Sequence, residues 1–183
     1  MTLRGFSNKK RAHTAKECAF LAMFLAVVIA LQTALSFVPG VEFVTVLFIC
    51  YVFVMGWERG MFAATAFSFL RQIVFGVFPN VLVLYLIYYN LLAVGFGVLG
   101  RKIKRPKKSL PIIVGLACVG TVLFTLIDDI LTPLWYAYSA RATRAYFFAS
   151  LSFMIPQVIC TAVSVSVLFL PIWRVFKRVR QKL

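Results

Sequence analysis

Two adjacent acids, Asp128 and Asp129, stand inside one apolar stretch, and Arg71 with Gln72 stands inside another. An ionised side chain in hydrocarbon costs several kcal/mol unless it is paired or wet, so these positions are the first candidates for chemistry. As helices, the stretches would place Arg71 about 17 Å beyond Gly60 and the two acids about 17 residues past Pro111, in one shared outer layer. A salt bridge from Arg71 to Asp128 or Asp129 that locks a bundle is one reading, and a ligand-binding role is the other. An Asp pair also fits half of a metal-dependent prenyl-transfer site. Neighbouring residues diverge by about 100° on a helix, however, and no second acidic motif completes such a site. A small lipid-modifying membrane enzyme using Asp128 and Asp129 remains the alternative from a different class.

Residues 132–146 are unlike the rest. Trp135, Tyr136, Tyr138, Arg141, Arg144 and Tyr146 combine flat amphipathic rings with hydrogen-bonding cations. They read either as an interfacial aromatic belt or as the longest outward loop of a binding surface. With Glu42, Asn80, Tyr85, Tyr88, Tyr89 and Asn90 they would enclose an outward pocket, aromatic with a few polar anchors, Tyr88 to Asn90 forming its floor. Catalytic machinery is not visible. The chain has no Walker loop, no HExxH, no GxSxG and no chain of acids to relay protons or sodium. An inverted repeat with paired broken helices is not visible either. Cys18, Cys50, Cys118 and Cys160 fall in four different apolar runs and read as small core residues, and His13 has no metal partner nearby. No cofactor or metal is expected.

These residues are carried by a chain of 183 residues that is 62% apolar and only 14% charged, which excludes an ordinary soluble domain. Apolar runs at about 18–37, 43–56, 60–77, 81–99, 111–132 and 148–170 predict an all-α membrane protein, a single domain over 1–183 with six transmembrane helices. The second run is short and must borrow from its flanks or cross a thinned or unwound stretch. Pro39-Gly40, a polar hairpin over Gly56 to Gly60, Phe78-Pro79-Asn80 and a basic linker from Arg101 to Lys108 are the expected breaks. A secretory signal is excluded by the length of the first run and the absence of a hydrophilic mature domain after a cleavage site.

The net charge of +15 is unevenly spread. All but Arg71, Arg141 and Arg144 of the 20 Lys and Arg fall on one side if the N-terminus is cytoplasmic, so both termini are expected inside. That basic rim fits a solvated surface touching anionic lipid better than nucleic acid. The first run also holds Ala22, Ala26, Ala30 and Ala34, a four-residue repeat that lays small side chains along one side of a helix. Such a stripe is either an internal packing seam or a docking face for another membrane subunit.

A small, basic, six-span chain with both ends inside, this Ala-x-x-x-Ala stripe and no energy-coupling machinery resembles the S-components of energy-coupling factor vitamin transporters. Pro39-Gly40-Val41-Glu42, Gly56 and Gly60 resemble the first outer loop and second hairpin of such proteins from Gram-positive bacteria. The resemblance covers about Glu17 to Phe176. It implies a non-enzymatic solute-binding subunit in a bacterial plasma membrane, docking through Ala22, Ala26, Ala30 and Ala34 on a transmembrane coupling subunit bound to two ATPases. Such a subunit topples to carry its site inward. The implied substrate site is Val41 and Glu42, the outer part of the fourth span from Asn80 to Tyr89, and Asp128 to Tyr146, and the pattern is most similar to the cobalamin or corrinoid branch. A purely structural assembly subunit is the third class, for which no solute binds.

Overall fold

The computed structural model describes residues 15–37, 43–103 and 105–183, and all regular structure in them is helical. Helices α1 (Ala15–Leu35), α2 (Val44–Met55), α3 (Trp57–Phe75), α4 (Pro79–Lys102), α5 (Leu110–Trp135) and α6 (Ala140–Arg180) follow in chain order. Helices α1, α4, α5 and α6 are each long and apolar enough to cross a membrane. Helix α3 carries Glu58, Arg59 and Arg71, which dilute its apolarity. Helix α2, 12 residues and about 18 Å long, is too short to bridge a hydrocarbon core of about 30 Å alone.

Helix α2 is the centre of the molecule. Its sequence, VTVLFICYVFVM, has no polar face, and a helix apolar all round is stable only when enclosed. All 12 of its residues are buried, packed by every other helix. Between helices in lipid, close packing replaces the hydrophobic effect as the main attraction, and aromatic rings supply it here. Phe24 stacks on Tyr51 at 4.3 Å, Phe48 meets Tyr89 at 4.7 Å and Phe67 at 5.1 Å, and Phe53 meets Phe169 edge-on at 5.4 Å.

Several expected breaks move. The five-residue hairpin at 56–60 contracts to Gly56, whose φ of 93° suits glycine and turns the chain in a single residue. Trp57 already begins α3, and Gly60 is buried within it against Val52. The third run stops at Gly76, at φ 96°, and Pro79 opens α4 instead of ending α3, since a missing N–H costs nothing in a first turn.

The largest correction concerns residues 132–146. No long loop exists there: α5 runs to Trp135, the turn is 136–139 with Ala137 at φ 48°, and α6 starts at Ala140. Ser139 caps it by accepting from Ala142 N at 3.3 Å. Arg141, Arg144 and Tyr146 therefore ride on the first turns of a 41-residue helix about 60 Å long, twice the thickness of a bilayer core.

One end of the bundle gathers the start of α1, the α2–α3 turn and the ends of α4 and α6. Arg59 donates to Glu17 at 2.6 Å, Arg101 lies 3.9 Å from Glu58, and Arg180 donates to the carbonyl of Val54 near the end of α2. This is the basic end. Of the cysteines, only Cys50 is a buried core residue: Cys18 is exposed, Cys118 and Cys160 are half-buried, and none forms a disulfide.

Candidate functional site

At the opposite end, α5 and α6 form an antiparallel hairpin whose short turn presses their outer turns together. On α5, Thr125, Asp128, Asp129 and Thr132 recur at helical spacing, and on α6 so do Tyr146, Ser150 and Gln157. The result is a continuous hydrogen-bonded chain. Tyr136 donates to Asn80 Oδ1 at 3.3 Å, and Asn80 Nδ2 donates to Thr132 Oγ1 at 3.3 Å. Thr132 in turn donates to Asp128 Oδ1 at 2.7 Å, and the Tyr146 hydroxyl donates to Asp128 Oδ2 at 2.8 Å. Beside it Ser150 donates to Asp129 Oδ2 at 2.7 Å, while Asp129 Oδ1 is buried with no partner.

Next to this chain lies a cavity of about 280 Å³. Asp128, Tyr146, Ser150, Thr125 and Gln157 supply its polar lining, and Phe124, Phe153 and Met154 most of its apolar wall. A carboxylate already satisfied on both oxygens, facing a cavity of this size, can accept from a solute's N–H or O–H groups without a large rearrangement.

A second polar centre sits between α1, α3 and α4. The Arg71 guanidinium lies 4.4 Å from the Tyr85 ring centroid and 5.0 Å from that of Phe75, an arrangement of cation–π type. Its Nε and Nη1 are buried without a hydrogen-bond acceptor among the described residues. Gln32 Nε2 donates to the Tyr85 hydroxyl at 3.1 Å, and Gln72 Oε1 accepts from Phe78 N at 2.9 Å, leaving Gln32 Oε1 and Gln72 Nε2 unpaired. The Tyr85 ring touches Phe124 at 5.7 Å, so an aromatic wall connects this centre to the cavity.

The expected salt bridge from Arg71 to Asp128 or Asp129 does not form. Among the described residues α3 makes no approach to α5, because α4 lies between them, and the acids turn towards α6. Arg71 thus carries buried N–H groups that nothing among the described residues satisfies, a cost of about 1–3 kcal/mol. Arg71→Met is expected to keep or raise the thermal midpoint in detergent. A fall of several degrees would show that the guanidinium stabilises the bundle after all.

Of the other residues singled out, Asn80 and Asp128 join the polar chain. Tyr85, Tyr88 and Tyr89 are buried in the aromatic core, Tyr89 fully so against Phe48 and Phe67. Trp135, Tyr136, Tyr138, Arg141 and Arg144 are exposed at the mouth of the α5–α6 hairpin. Val41 and Glu42 lie outside the described residues. Phe124, Thr125, Ser150 and Gln157 were not singled out, although the four-residue spacing of Tyr146 and Ser150 on α6 matched to Asp128 on α5 was a readable signal.

Ala22, Ala26, Ala30 and Ala34 are all exposed, and α1 packs through its other side, with Phe20, Phe24, Leu25 and Val28 buried. The stripe is not an internal seam among the described residues. Compared with known proteins, the chain matches no family model, and no curated protein or solved structure shows significant similarity to it.

Proposed function

We propose that the protein is a solute-binding membrane subunit of the S-component type, serving an ATP-driven importer of the energy-coupling factor kind. The observation that carries this reading is the exposed Ala22, Ala26, Ala30 and Ala34 face, which its own fold leaves unused and which lets a partner helix approach closely. In this reading all six helices belong to the membrane-embedded bundle, and the basic end, with both termini, is cytoplasmic. The hairpin of α5 and α6 then opens outward, with the cavity at Asp128 as the capture site. The partners are a transmembrane coupling subunit and two ATPases, and toppling of the bundle delivers the solute inward.

The resemblance points to cobalamin or a related corrinoid as the solute. The cavity favours a second choice: at about 280 Å³ it stands at the lower edge of small-molecule pockets, so a smaller vitamin with donor groups for Asp128 fits it better. Radioligand binding to the chain in nanodiscs tests both, with cobalamin and a panel of smaller vitamins as probes. One solute is expected to bind one to one. Asp128→Asn is expected to lower its affinity at least about tenfold, the worth of one charge-assisted hydrogen bond, with little change in the thermal midpoint. Uptake into proteoliposomes should require the coupling subunit, the ATPases and ATP. Transport by the chain alone would sink the proposal, and so would turnover of a lipid substrate lost in Asp129→Asn.

A further inference from the structure

A groove runs along the exposed side of the molecule between α4 and α5. Its volume is about 340 Å³ and its walls are almost wholly apolar: Leu91, Leu99, Leu116, Val119 and Leu123, with Gly95 and Gly120 set into them. The glycines open it. A Cβ built on Gly95 would meet nothing within 4 Å, and one on Gly120 would meet only the tip of Tyr88, at 3.6 Å. Along α4 the groove extends from Tyr88 to Leu99, about 16 Å, which is half of a hydrocarbon core of about 30 Å and hence the depth of one leaflet.

The groove points at charge. On α4, Gly95, Leu99 and Lys102 stand at i, i+4 and i+7, so Lys102 continues the groove-lining face one turn past its end. The linker to α5 adds Arg105, Lys107 and Lys108, all exposed like Lys102, and none of the four is in an ion pair among the described residues. Arg101 differs, being turned to Glu58 and the Trp57 ring. Four cations, unpaired among the described residues, on the end of α4 and the linker that joins the two walls of an apolar trench one leaflet deep have the chemistry of an anionic lipid: a phosphate at the interface and an acyl chain below it.

We infer that the α4–α5 groove is a binding site for one anionic phospholipid, its acyl chain lying over Gly95 and Gly120 and its headgroup held by Lys102, Arg105, Lys107 and Lys108. A partner helix could also use an apolar groove, but a neutral helix would have no use for the cations. The site is separate from the proposed solute cavity and does not depend on it.

Native mass spectrometry of the full chain, released from nanodiscs of equimolar phosphatidylglycerol and phosphatidylcholine, tests the inference. One phosphatidylglycerol is expected to stay bound in preference to phosphatidylcholine. Gly95→Leu, which fills the trench, should abolish that retention. Replacing Lys102, Lys107 and Lys108 by Gln leaves the packed core untouched and should reduce the preference by about fivefold for each charge that contacts the headgroup. Equal retention of the two lipids, or retention unchanged by both variants, would overturn the site. So would a lipid-free dimer that Gly95→Leu dissociates, because a second copy would then occupy the groove.

Discussion

Gly97→Ala is expected to unfold the protein or lower its thermal midpoint by many degrees, while Gly95→Ala, two residues earlier on the same helix, leaves it unchanged or higher. A Cβ at Gly97 would come within 2.6 Å of the backbone nitrogen and Cα of Trp57, atoms that open α3 and cannot step aside without moving the α2–α3 turn. Gly100 repeats the constraint, its Cβ falling 2.5 Å from the carbonyl oxygen of Phe53. Backbone set against backbone leaves no soft side chain to absorb the strain, so the penalty should exceed the usual 1–3 kcal/mol of an overpacked core, by roughly as much again. Gly95 faces open space, where a methyl group adds only helix propensity, about 1 kcal/mol in its favour. Thermal melts in detergent compare the pair directly. Equal behaviour would mean that α4 and the α2–α3 turn are not in close contact.

The double substitution Ala26→Trp and Ala30→Trp is expected to abolish ATP-dependent uptake while leaving solute binding and the thermal midpoint near their original values. Both positions are exposed on α1, so two indoles add no volume to the core of this chain. In the proposed transporter they would displace the helix of the coupling subunit, since a face of small residues works by letting backbones come close. Binding measured on the isolated chain and uptake measured with the complete transporter separate the two effects. Equal loss of both would place the stripe in the solute site or in folding, and unchanged uptake would remove it from the docking face.

How far these features were legible in the sequence depended on their physics. The six apolar runs became six helices because burial of apolar surface is written residue by residue. Boundaries were harder, since they rest on single caps: the Trp, Tyr and Arg around Ser139 suggested a loop, and α6 began there instead. The height of Arg71 and of Asp128 along their helices could be read from spacing, but the face each turns to could not. That face depends on which helix lies between them, and α4 does. The polar chain from Tyr136 through Asn80 and Thr132 to Asp128 joins residues 56 positions apart, and no local pattern announces such a path. The Ala repeat was plain, and whether it faced inward needed the other five helices.

The buried α2 has a consequence for how the protein comes to be made. A 12-residue apolar segment is too short to partition into a bilayer as a span in its own right, and its carbonyl ends need protein to satisfy them. Val54 is served by Arg180, from the last turn of α6. Until α4 supplies the glycine surface against the turn and α6 closes over Phe53 and Val54, α2 lacks the neighbours that bury it. The centre of the bundle is thus completed by α6, and a chain cut before Arg180 lacks part of the wall around α2.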